Sequence, residues 1–366
     1  MIPGSAKDIS IDWLSTALRP LLDNADATIT EVSANPHGAP GQTADTVSID
    51  VSYDKDDTAL PKRIFGKITA QNTETLALVK SMDLYRREVS FYTNVTDVGL
   101  PVPHCYYAEF DPASYECVLL LEDLSDGESP SWGITVAQAE AAIEQLPAFH
   151  AKWWNRPEAK QFDWAIQIDE QEYWTSVRKD LPKNLGIAIE RIGDDLPATF
   201  RETVNLALAK FDAFLNYLET RPFSLVHGDY HFKQIFFPRS NGRGRFAVFD
   251  WQFPYVAPGA WDLARVMAMT LPTDVRRKSQ DRLLSSYLQQ LRANGVENYN
   301  ERDLIEDMGS GCLINILIHA SAFGGTDLAI VEKEAGAFGV RWQDVLIDQI
   351  VDASTDFEVP QLLQRL

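Results

Sequence analysis

The sequence predicts an α+β fold in two parts, a sheet-forming first third followed by a longer and mainly helical part. The chain has 366 residues, which is enough for two domains of about 100–200 residues each. Apolar residues make up 45% of the chain, a share that supports a large core and excludes a disordered protein. Strand-like alternation is concentrated before Glu122, whereas apolar residues recur at spacings of three and four from about Thr135.

Five strands are predicted in the first part, together with helical segments. The strands lie at 27–33, 46–52, 63–68, 104–109 and 115–121. A short helix near 11–22 precedes them, and a longer helix at about 74–98 lies between the third and fourth strands. A loop rich in glycine and proline, 35–43, joins the first two strands, and this favours a hairpin. We therefore expect a small lobe, residues 1–122, with a five-stranded antiparallel sheet and one helix.

The second part, residues 123–366, is predicted to be helical with one interruption. Its clearest apolar stripes lie at 136–153 and 204–218, and the interruption at 224–251 contains strands at 235–237 and 246–249. Asn300 is a candidate N-cap, with Asp303 in the first turn of the helix that follows. We place the hinge between the lobes at about 122–131.

The charge balance limits the classes of partner. The chain carries 33 Lys and Arg against 53 Asp and Glu, which gives a formal net charge of −20. A protein this acidic has no general basic field with which to bind nucleic acid or an anionic membrane. Nucleic acid and anionic membranes are therefore poor candidates as partners, and the oligomeric state is left open.

Cysteine usage and the apolar segments indicate a cytoplasmic protein. Cys105, Cys117 and Cys312 are odd in number and lack CxxC spacing, which argues against a disulfide framework and against a cysteine zinc site. Residues 1–8 lack the apolar region of a signal peptide. The most apolar stretch, 312–319, is shorter than the roughly 20 residues that span a bilayer, so no membrane span is expected.

Two aspartates and a side-chain amide carry the most specific signal in the chain. Asp229 follows the apolar pair Leu225–Val226, Gln234 lies five residues after it, and Asp250 follows the apolar run 246–249. These groups are delivered to the ends of a small hairpin. The set suits phosphoryl transfer, in which one aspartate accepts the proton of an attacking hydroxyl while the other, with an amide oxygen, holds Mg²⁺.

The combined motif resembles a known family. His227-Gly-Asp229, an amide five residues later and Asp250-Trp-Gln together resemble the aminoglycoside phosphotransferase/choline kinase-like superfamily of small-molecule kinases. The ecdysteroid-kinase-like branch and the related sugar kinases are the relatives we suggest. The resemblance implies a two-lobed protein-kinase-like fold, ATP and Mg²⁺ as cofactors, and transfer of the γ-phosphate to a hydroxyl of a small molecule.

The resemblance also implies a set of nucleotide-binding residues. Lys67 on the third strand matches the lysine that pairs with the α- and β-phosphates, with Lys62 and Lys80 as alternatives. Glu88 matches the glutamate that orients this lysine, and Glu74 is its competitor. The backbone near Glu122 and Leu124 would hydrogen-bond the adenine, and Gly41 and Thr43 would contact the phosphates.

The implied roles are divided among five residues. Asp229 is the catalytic aspartate, and His227 beside it orients the backbone of the catalytic loop. Asp250 and Gln234 hold Mg²⁺, and Asp262 braces the catalytic loop without touching substrate. The acceptor stays open among a sugar, a sterol or other lipid-like alcohol, an amino alcohol and an aminoglycoside.

Two departures from the family pattern leave other functions open. Gln234 stands where the family usually has asparagine, and Pro40 removes a backbone donor from the phosphate loop. A catalytically weak, pseudokinase-like binding protein is therefore the main alternative. The spacing His227-x-Asp229-x-His231 also raises a metal-dependent hydrolase, the less favoured reading. His231 is either a substrate contact or a packed ring, and His150 is simplest as a core histidine.

Overall fold

The computed structural model describes residues 2–37 and 43–366, and the chain folds as two compact units. The first unit is the chain up to Glu128 together with Phe236–Gln252, and the second is Ser129–Ile235 with Phe253–Leu366. Segment 236–252 thus belongs to the first unit, whereas the sequence analysis assigns it to the second lobe. Backbone hydrogen bonds hold it there, since Phe237 and Glu128 bond to each other in both directions at 2.8 Å.

A five-stranded antiparallel sheet in the order β1-β2-β3-β5-β4 organises the first unit and confirms the predicted sheet. Up to Glu122 the elements are α1 (Ile11–Ala17), α2 (Arg19–Ala25), β1 (Ile29–Pro36), β2 (Asp45–Tyr53), β3 (Arg63–Ile68), α3 (Thr73–Ser81), α4 (Leu84–Asn94), β4 (Cys105–Asp111) and β5 (Glu116–Glu122). Apolar residues of the sheet pack with α1 and α2 in one core cluster.

The remaining chain contains ten helices and five short strands among the described residues. They are α5 (Val136–Trp153), β6 (Ile166–Gln167), α6 (Gln171–Ile192), α7 (Ala198–Ala209), α8 (Phe211–Glu219), β7 (Ser224–Val226), β8 (Ile235–Phe236), β9 (Ala247–Val248), β10 (Tyr255–Ala257), α9 (Ala260–Thr270), α10 (Thr273–Ala293), α11 (Glu301–Gly325), α12 (Leu328–Gly336), α13 (Gln349–Asp356) and α14 (Val359–Arg365). The strands β6, β10 and β7 form a small sheet in the second unit.

Single residues break three of the predicted helices. The helix expected at 74–98 is two helices, α3 and α4, because Asp83 adopts the left-handed region with φ 56°. Its carboxylate accepts hydrogen bonds from Arg86 and from the hydroxyl of Tyr115, and these contacts hold the turn. The helix expected near 11–22 divides at Leu18 into α1 and α2, and the stripe at 204–218 divides at Lys210 into α7 and α8. Neither of these residues is left-handed.

Helix α11 is the core helix of the second unit. Asn300 caps it, and a reciprocal hydrogen bond with Asp303 completes a capping box, as the sequence predicts. The apolar stretch 312–319 lies within this 25-residue helix, which by length and composition alone could cross a membrane. However, 72% of its apolar window is buried inside the protein, where it packs against α6 and α9. That burial is typical of a core helix.

Gly66 on β3 allows a test of how tightly the sheet is packed. A Cβ at this position would lie 2.5 Å from Cγ2 of Val47 on the neighbouring strand. We expect Gly66→Val to lower the free energy of unfolding by about 1–3 kcal/mol, the usual cost of overpacking a core. Urea denaturation measures the change.

Gly186 in the middle of α6 is the control for this substitution. Nothing lies within 4 Å of the position that its Cβ would take. Gly186→Ala is expected to be neutral or to stabilise the protein by up to about 1 kcal/mol, because alanine favours the helix. Equal effects of the two substitutions would contradict the proposed packing around Gly66.

Candidate active site

A buried lysine joins two carboxylates in the first unit. The Nζ atom of Lys67 lies 2.7 Å from Oε1 of Glu88 and 2.5 Å from Oδ1 of Asp250. Lys67 is 6% exposed and Glu88 is 1% exposed, so two of the three charges are sealed from water. Three residues that the sequence analysis selects separately are thus brought together, whereas the competitor Glu74 is exposed on α3.

The local structure explains why these side chains meet. Lys67 lies near the end of β3, paired with Thr46 on β2 and Leu119 on β5 in the interior of the sheet. Glu88 lies on the buried face of α4, one helical turn after Leu84 and one residue before Val89. The lysine and the glutamate therefore face each other because a central strand and a buried helix face pack together.

The segment that carries Asp250 is fixed to α4 by the next two residues. The indole of Trp251 stacks on the ring of Phe91 with 3.8 Å between centroids and 6° between planes. Nε2 of Gln252 donates to Oε2 of Glu88 at 3.2 Å. Asp250 itself has φ 67°, a left-handed conformation that non-glycine residues seldom adopt and that concentrates at functional sites.

Electrostatics keep the lysine charged. Burial alone would lower the pKa of Lys67, but the carboxylates of Asp250 and Glu88 outweigh burial and raise the pKa above its ordinary value. Burial raises the pKa of Glu88, and Lys67 opposes that rise. One cation between two carboxylates leaves an excess negative charge. Asp250 has the most exposed side chain of the three, at 24%.

In the second unit Asp229 is surrounded by hydrogen-bond donors. Its Oδ1 accepts from Nε and Nη2 of Arg265 at 3.1 and 2.7 Å and lies 3.2 Å from Nε2 of His231. Its Oδ2 accepts from Nε2 of Gln234 at 3.1 Å. Burial would raise the pKa of Asp229, but His231 and Arg265 hold it well below the ordinary range. Asp229 is therefore an ionised, positioned carboxylate.

His231 is a packed ring and also a partner of the Asp229 carboxylate. Burial lowers its pKa, so the imidazole is neutral at physiological pH. Its Nδ1 accepts from the backbone N–H of Lys233 at 3.2 Å, which leaves the proton on Nε2, the atom that faces Asp229. Both ring nitrogens are thus used to fix the loop around the carboxylate.

Asp262 on α9 holds the loop that carries Asp229. Its two oxygens accept the backbone N–H groups of His227 and Gly228, each at 2.9 Å. Asp262 and His150 are both fully buried, and Nε2 of His150 lies 3.3 Å from the carboxylate. The ring of His227 accepts the N–H of Asp229 at 3.2 Å. His150, which the sequence analysis expects to be a core histidine, thus supports Asp262, and Asp262 in turn supports the loop that carries Asp229.

Gly228 is required by the loop geometry. Its φ is 78°, and a Cβ would lie 2.0 Å from the carbonyl oxygen of Phe253. A side chain at this position would clash with backbone and displace the neighbouring Asp229.

The other residues selected from the sequence have different surroundings. Gly41 lies outside the described residues. The carbonyl of Thr43 accepts a hydrogen bond from the hydroxyl of Tyr85 at 2.8 Å. The carboxylate of Glu122 pairs with Arg245, and the carbonyl of Leu124 accepts the N–H of Gly127 at 2.8 Å in a turn. The contact of these four residues with a nucleotide stays a prediction.

The available oxygen atoms fit Mg²⁺, which prefers carboxylate and carbonyl ligands. Asp250 has one oxygen on Lys67, and its second oxygen is available to a cation. Gln234 uses its NH₂ group on Asp229, so its carbonyl oxygen Oε1 is available as an acceptor. Within residues 2–37 and 43–366, no three His, Cys, Asp or Glu side chains converge as a metal site made by protein alone. A magnesium ion at either residue would need phosphate or water as further ligands.

Arg265 is a residue that the sequence analysis misses, and Gln252 is one that it places in the Asp250-Trp-Gln motif without giving it a role. Arg265 follows Asp262 by three residues on α9, and this spacing puts both on one helix face. That spacing is the only signal in the sequence, because the partner Asp229 is 36 residues away. Gln252 gives a weaker signal, since its partner Glu88 is 164 residues away.

Comparison with known proteins supplies the family. The model of the ecdysteroid kinase-like family matches residues 43–297, more than half of the chain. The chain belongs to the ecdysteroid kinase-like family. The predicted membership of the wider superfamily of aminoglycoside phosphotransferases and choline kinases is confirmed. Among curated protein sequences, no significant match is found.

Solved structures confirm the fold class, a two-lobed kinase-like α+β fold. The choline kinase LicA from Streptococcus pneumoniae matches with a TM-score of 0.50 at 11% identity, over 94% of this chain and 99% of that one. A choline/ethanolamine kinase family protein from Mesorhizobium loti gives a TM-score of 0.47 at 11% identity, covering 91% of each chain. At this identity the likeness to LicA shows the fold alone.

The lysine at the centre of the first-unit cluster makes a testable contribution to stability. Lys67→Met would leave the buried carboxylates of Glu88 and Asp250 without their counter-charge. We expect a loss of about 3–5 kcal/mol in the free energy of unfolding near pH 8, as for a buried ion pair with one partner removed. The loss should shrink at low pH, where Glu88, whose pKa is raised by burial, takes up a proton.

Lys62 provides the matched control. It pairs with Asp56, and both side chains are largely exposed, at 68% and 85%. Lys62→Met is expected to leave the urea midpoint unchanged, because exposed ion pairs are weak. A Lys67→Met protein as stable as the Lys62→Met protein would contradict the ionised state of the cluster.

Proposed function

We propose that this protein is an ATP- and Mg²⁺-dependent kinase that transfers the γ-phosphoryl group to a hydroxyl of a small molecule. The family and the fold support a small-molecule kinase-like phosphotransferase in general. The observation that carries the finer proposal is the buried Lys67 between Glu88 and Asp250. A cytoplasmic location is part of the proposal, supported by three cysteines that are all unpaired.

Lys67 and Glu88 would form the phosphate-binding half of the reaction. Glu88 accepts from Lys67 and from Gln252, so the lysine is held by a carboxylate that is itself oriented. A lysine fixed in this way binds phosphate oxygens as a point charge. Asp250 and Gln234 would hold Mg²⁺, which neutralises the negative charge of the phosphate groups when it is bound.

Asp229 would orient the acceptor hydroxyl and receive its proton. The acceptor oxygen bonds to the γ-phosphorus while the bond from that phosphorus to the β–γ bridging oxygen breaks, and ADP leaves. The hydroxyl proton passes to the carboxylate of Asp229 and from there to water. A carboxylate with a depressed pKa is a weak base, which suits a loose transition state in which proton transfer is late.

Thermal unfolding with Mg·ATP tests the nucleotide half. A ligand at 100 times its Kd adds about 2.7 kcal/mol to stability, so the wild-type protein should unfold several degrees higher with Mg·ATP. We expect Asp250→Asn to lose the magnesium-dependent part of this shift. The exposed Asp50→Asn on β2 is the control and should keep it. A wild-type protein with no shift would refute the proposed nucleotide site.

Asp229→Asn tests the transfer step. We expect the variant to keep the Mg·ATP-dependent thermal shift while transfer to an acceptor falls about 10²–10⁴-fold, the usual contribution of a general base. The rate is measured as ADP release with an acceptor found by screening hydroxyl compounds. Wild-type rates in the variant would contradict the role of Asp229, and ATP binding without transfer in the wild type would favour the pseudokinase-like alternative.

A further inference from the structure

The hydroxyl of Tyr85 joins three elements of the first unit. Tyr85 lies on α4 and is 2% exposed. Its hydroxyl accepts the backbone N–H of Ala70 at 2.9 Å and donates to the carbonyl of Thr43 at 2.8 Å. Ala70 follows the end of β3, and Thr43 precedes the start of β2. One side chain thus connects a helix with the ends of two neighbouring strands.

The bridge stands where the pairing of β2 with β3 stops. The last pair of the antiparallel ladder is Asp45 with Ile68, and two residues further along its register would place Thr43 opposite Ala70. At that position the hydroxyl of Tyr85 takes the N–H of one segment and the carbonyl of the other. It therefore sets the distance between the two segments beyond the end of the ladder.

This bridge connects the parts of the chain that carry the proposed phosphate-binding residues. Lys67 lies on β3, three residues before Ala70. Glu88 lies on α4, three residues after Tyr85 and therefore on the same side of the helix. Thr43 is the residue to which the sequence analysis assigns a phosphate contact. The positions of the lysine, the glutamate and Thr43 relative to one another thus depend on segments that one hydroxyl holds together.

The hydroxyl and the ring of Tyr85 have separable roles. Burial raises the pKa of Tyr85, so the hydroxyl keeps its proton and remains a donor. The ring packs against the ring of Tyr115, with 5.8 Å between centroids and 31° between planes. A phenylalanine would keep this packing and lose only the two hydrogen bonds.

We propose that the hydroxyl of Tyr85 is a positioning group for the binding of nucleotide phosphates, because it bridges Thr43 and the segment after Lys67 at the end of their ladder. The inference rests on the proposed kinase function and adds a residue to its nucleotide-binding half. Without the hydroxyl, the N–H of Ala70, which is 4% exposed, and the carbonyl of Thr43 lose their partner. The phosphate-binding groups then have to be ordered by the nucleotide itself, which lowers its affinity.

Tyr85→Phe tests this role. We expect the variant to raise the Kd of Mg·ATP about tenfold, the equivalent of about one hydrogen bond, measured by titration calorimetry. The Kd of adenosine, which carries no phosphate groups, should change less than twofold. This split separates the positioning of phosphate-binding groups from a general loss of structure, which would weaken both ligands alike.

Tyr115→Phe is the matched control from the same pair of rings. Its hydroxyl donates to the carbonyl of Val79 at 3.2 Å and to Oδ1 of Asp83 at 3.1 Å, at the break between α3 and α4. We expect both variants to lower the unfolding temperature, because each removes a hydroxyl that bonds within the first unit. Only Tyr85→Phe should change the Kd of Mg·ATP.

Amide hydrogen exchange at Ala70 tests the bridge in the wild-type protein. If loss of the bridge weakens Mg·ATP binding tenfold, bound Mg·ATP must favour the bridge by the same factor, because coupling is reciprocal. We therefore expect Mg·ATP to slow this exchange about tenfold and adenosine to leave it unchanged. Equal exchange with the two ligands would overturn the positioning role even where Tyr85→Phe fails to fold.

The outcomes distinguish this inference from the function on which it rests. A Tyr85→Phe protein that binds Mg·ATP as the wild type does, or that loses affinity for Mg·ATP and adenosine alike, would overturn the positioning role and leave the kinase function intact. Equal losses of Mg·ATP affinity in Tyr85→Phe and Tyr115→Phe would overturn it in the same way. A wild-type protein that binds no Mg·ATP would overturn the proposed function and the positioning role with it.

Discussion

The interaction on which the first unit depends is the burial of the Lys67 ammonium group against two carboxylates. A sealed cation is costly unless counter-charges are fixed in place, and here each counter-charge comes from a different part of the chain. Glu88 requires α4 to pack with its buried face towards β3, and Asp250 requires segment 236–252 to join this unit. The stacking of Trp251 on Phe91 ties these two requirements together, because it fixes the aspartate segment to the same helix that carries the glutamate.

The two units balance charge in opposite ways, and this difference supports the roles proposed for Asp250 and Asp229. In the first, two carboxylates share one lysine, so negative charge is left over beside the exposed part of Asp250. In the second, Asp229 is matched by Arg265 and further held by two neutral donors. An excess negative charge attracts a cation, whereas a balanced and fully hydrogen-bonded carboxylate orients a neutral group. This contrast supports the metal binding proposed for Asp250 and the acceptor positioning proposed for Asp229.

The residues that sequence reasoning could identify are those with a local signal. Asp229 and Asp250 stand out because each follows an apolar run, and Lys67 because it interrupts one. Arg265 has no such signal, and Gln252 has only its place in the Asp250-Trp-Gln motif, since the partners of both lie far away in the chain. The same limit explains the helix boundaries: the break between α3 and α4 depends on a single left-handed residue, Asp83, stabilised in part by Tyr115, the residue before β5. Periodicity over 74–98 continues through that residue and does not reveal the break.

Hydrogen bonds from the protein core position the loop that carries Asp229. Asp262 binds two consecutive N–H groups of the loop, His150 supports Asp262, and Tyr287 bonds the other nitrogen of His150 at 2.8 Å. Gly228 admits no side chain, which leaves the loop little room to adopt a second conformation. A carboxylate with a depressed pKa contributes little as a base but much as a fixed acceptor of a hydrogen bond. For phosphoryl transfer, where positioning and charge neutralisation supply most of the rate, such a rigid arrangement is the one that chemistry requires.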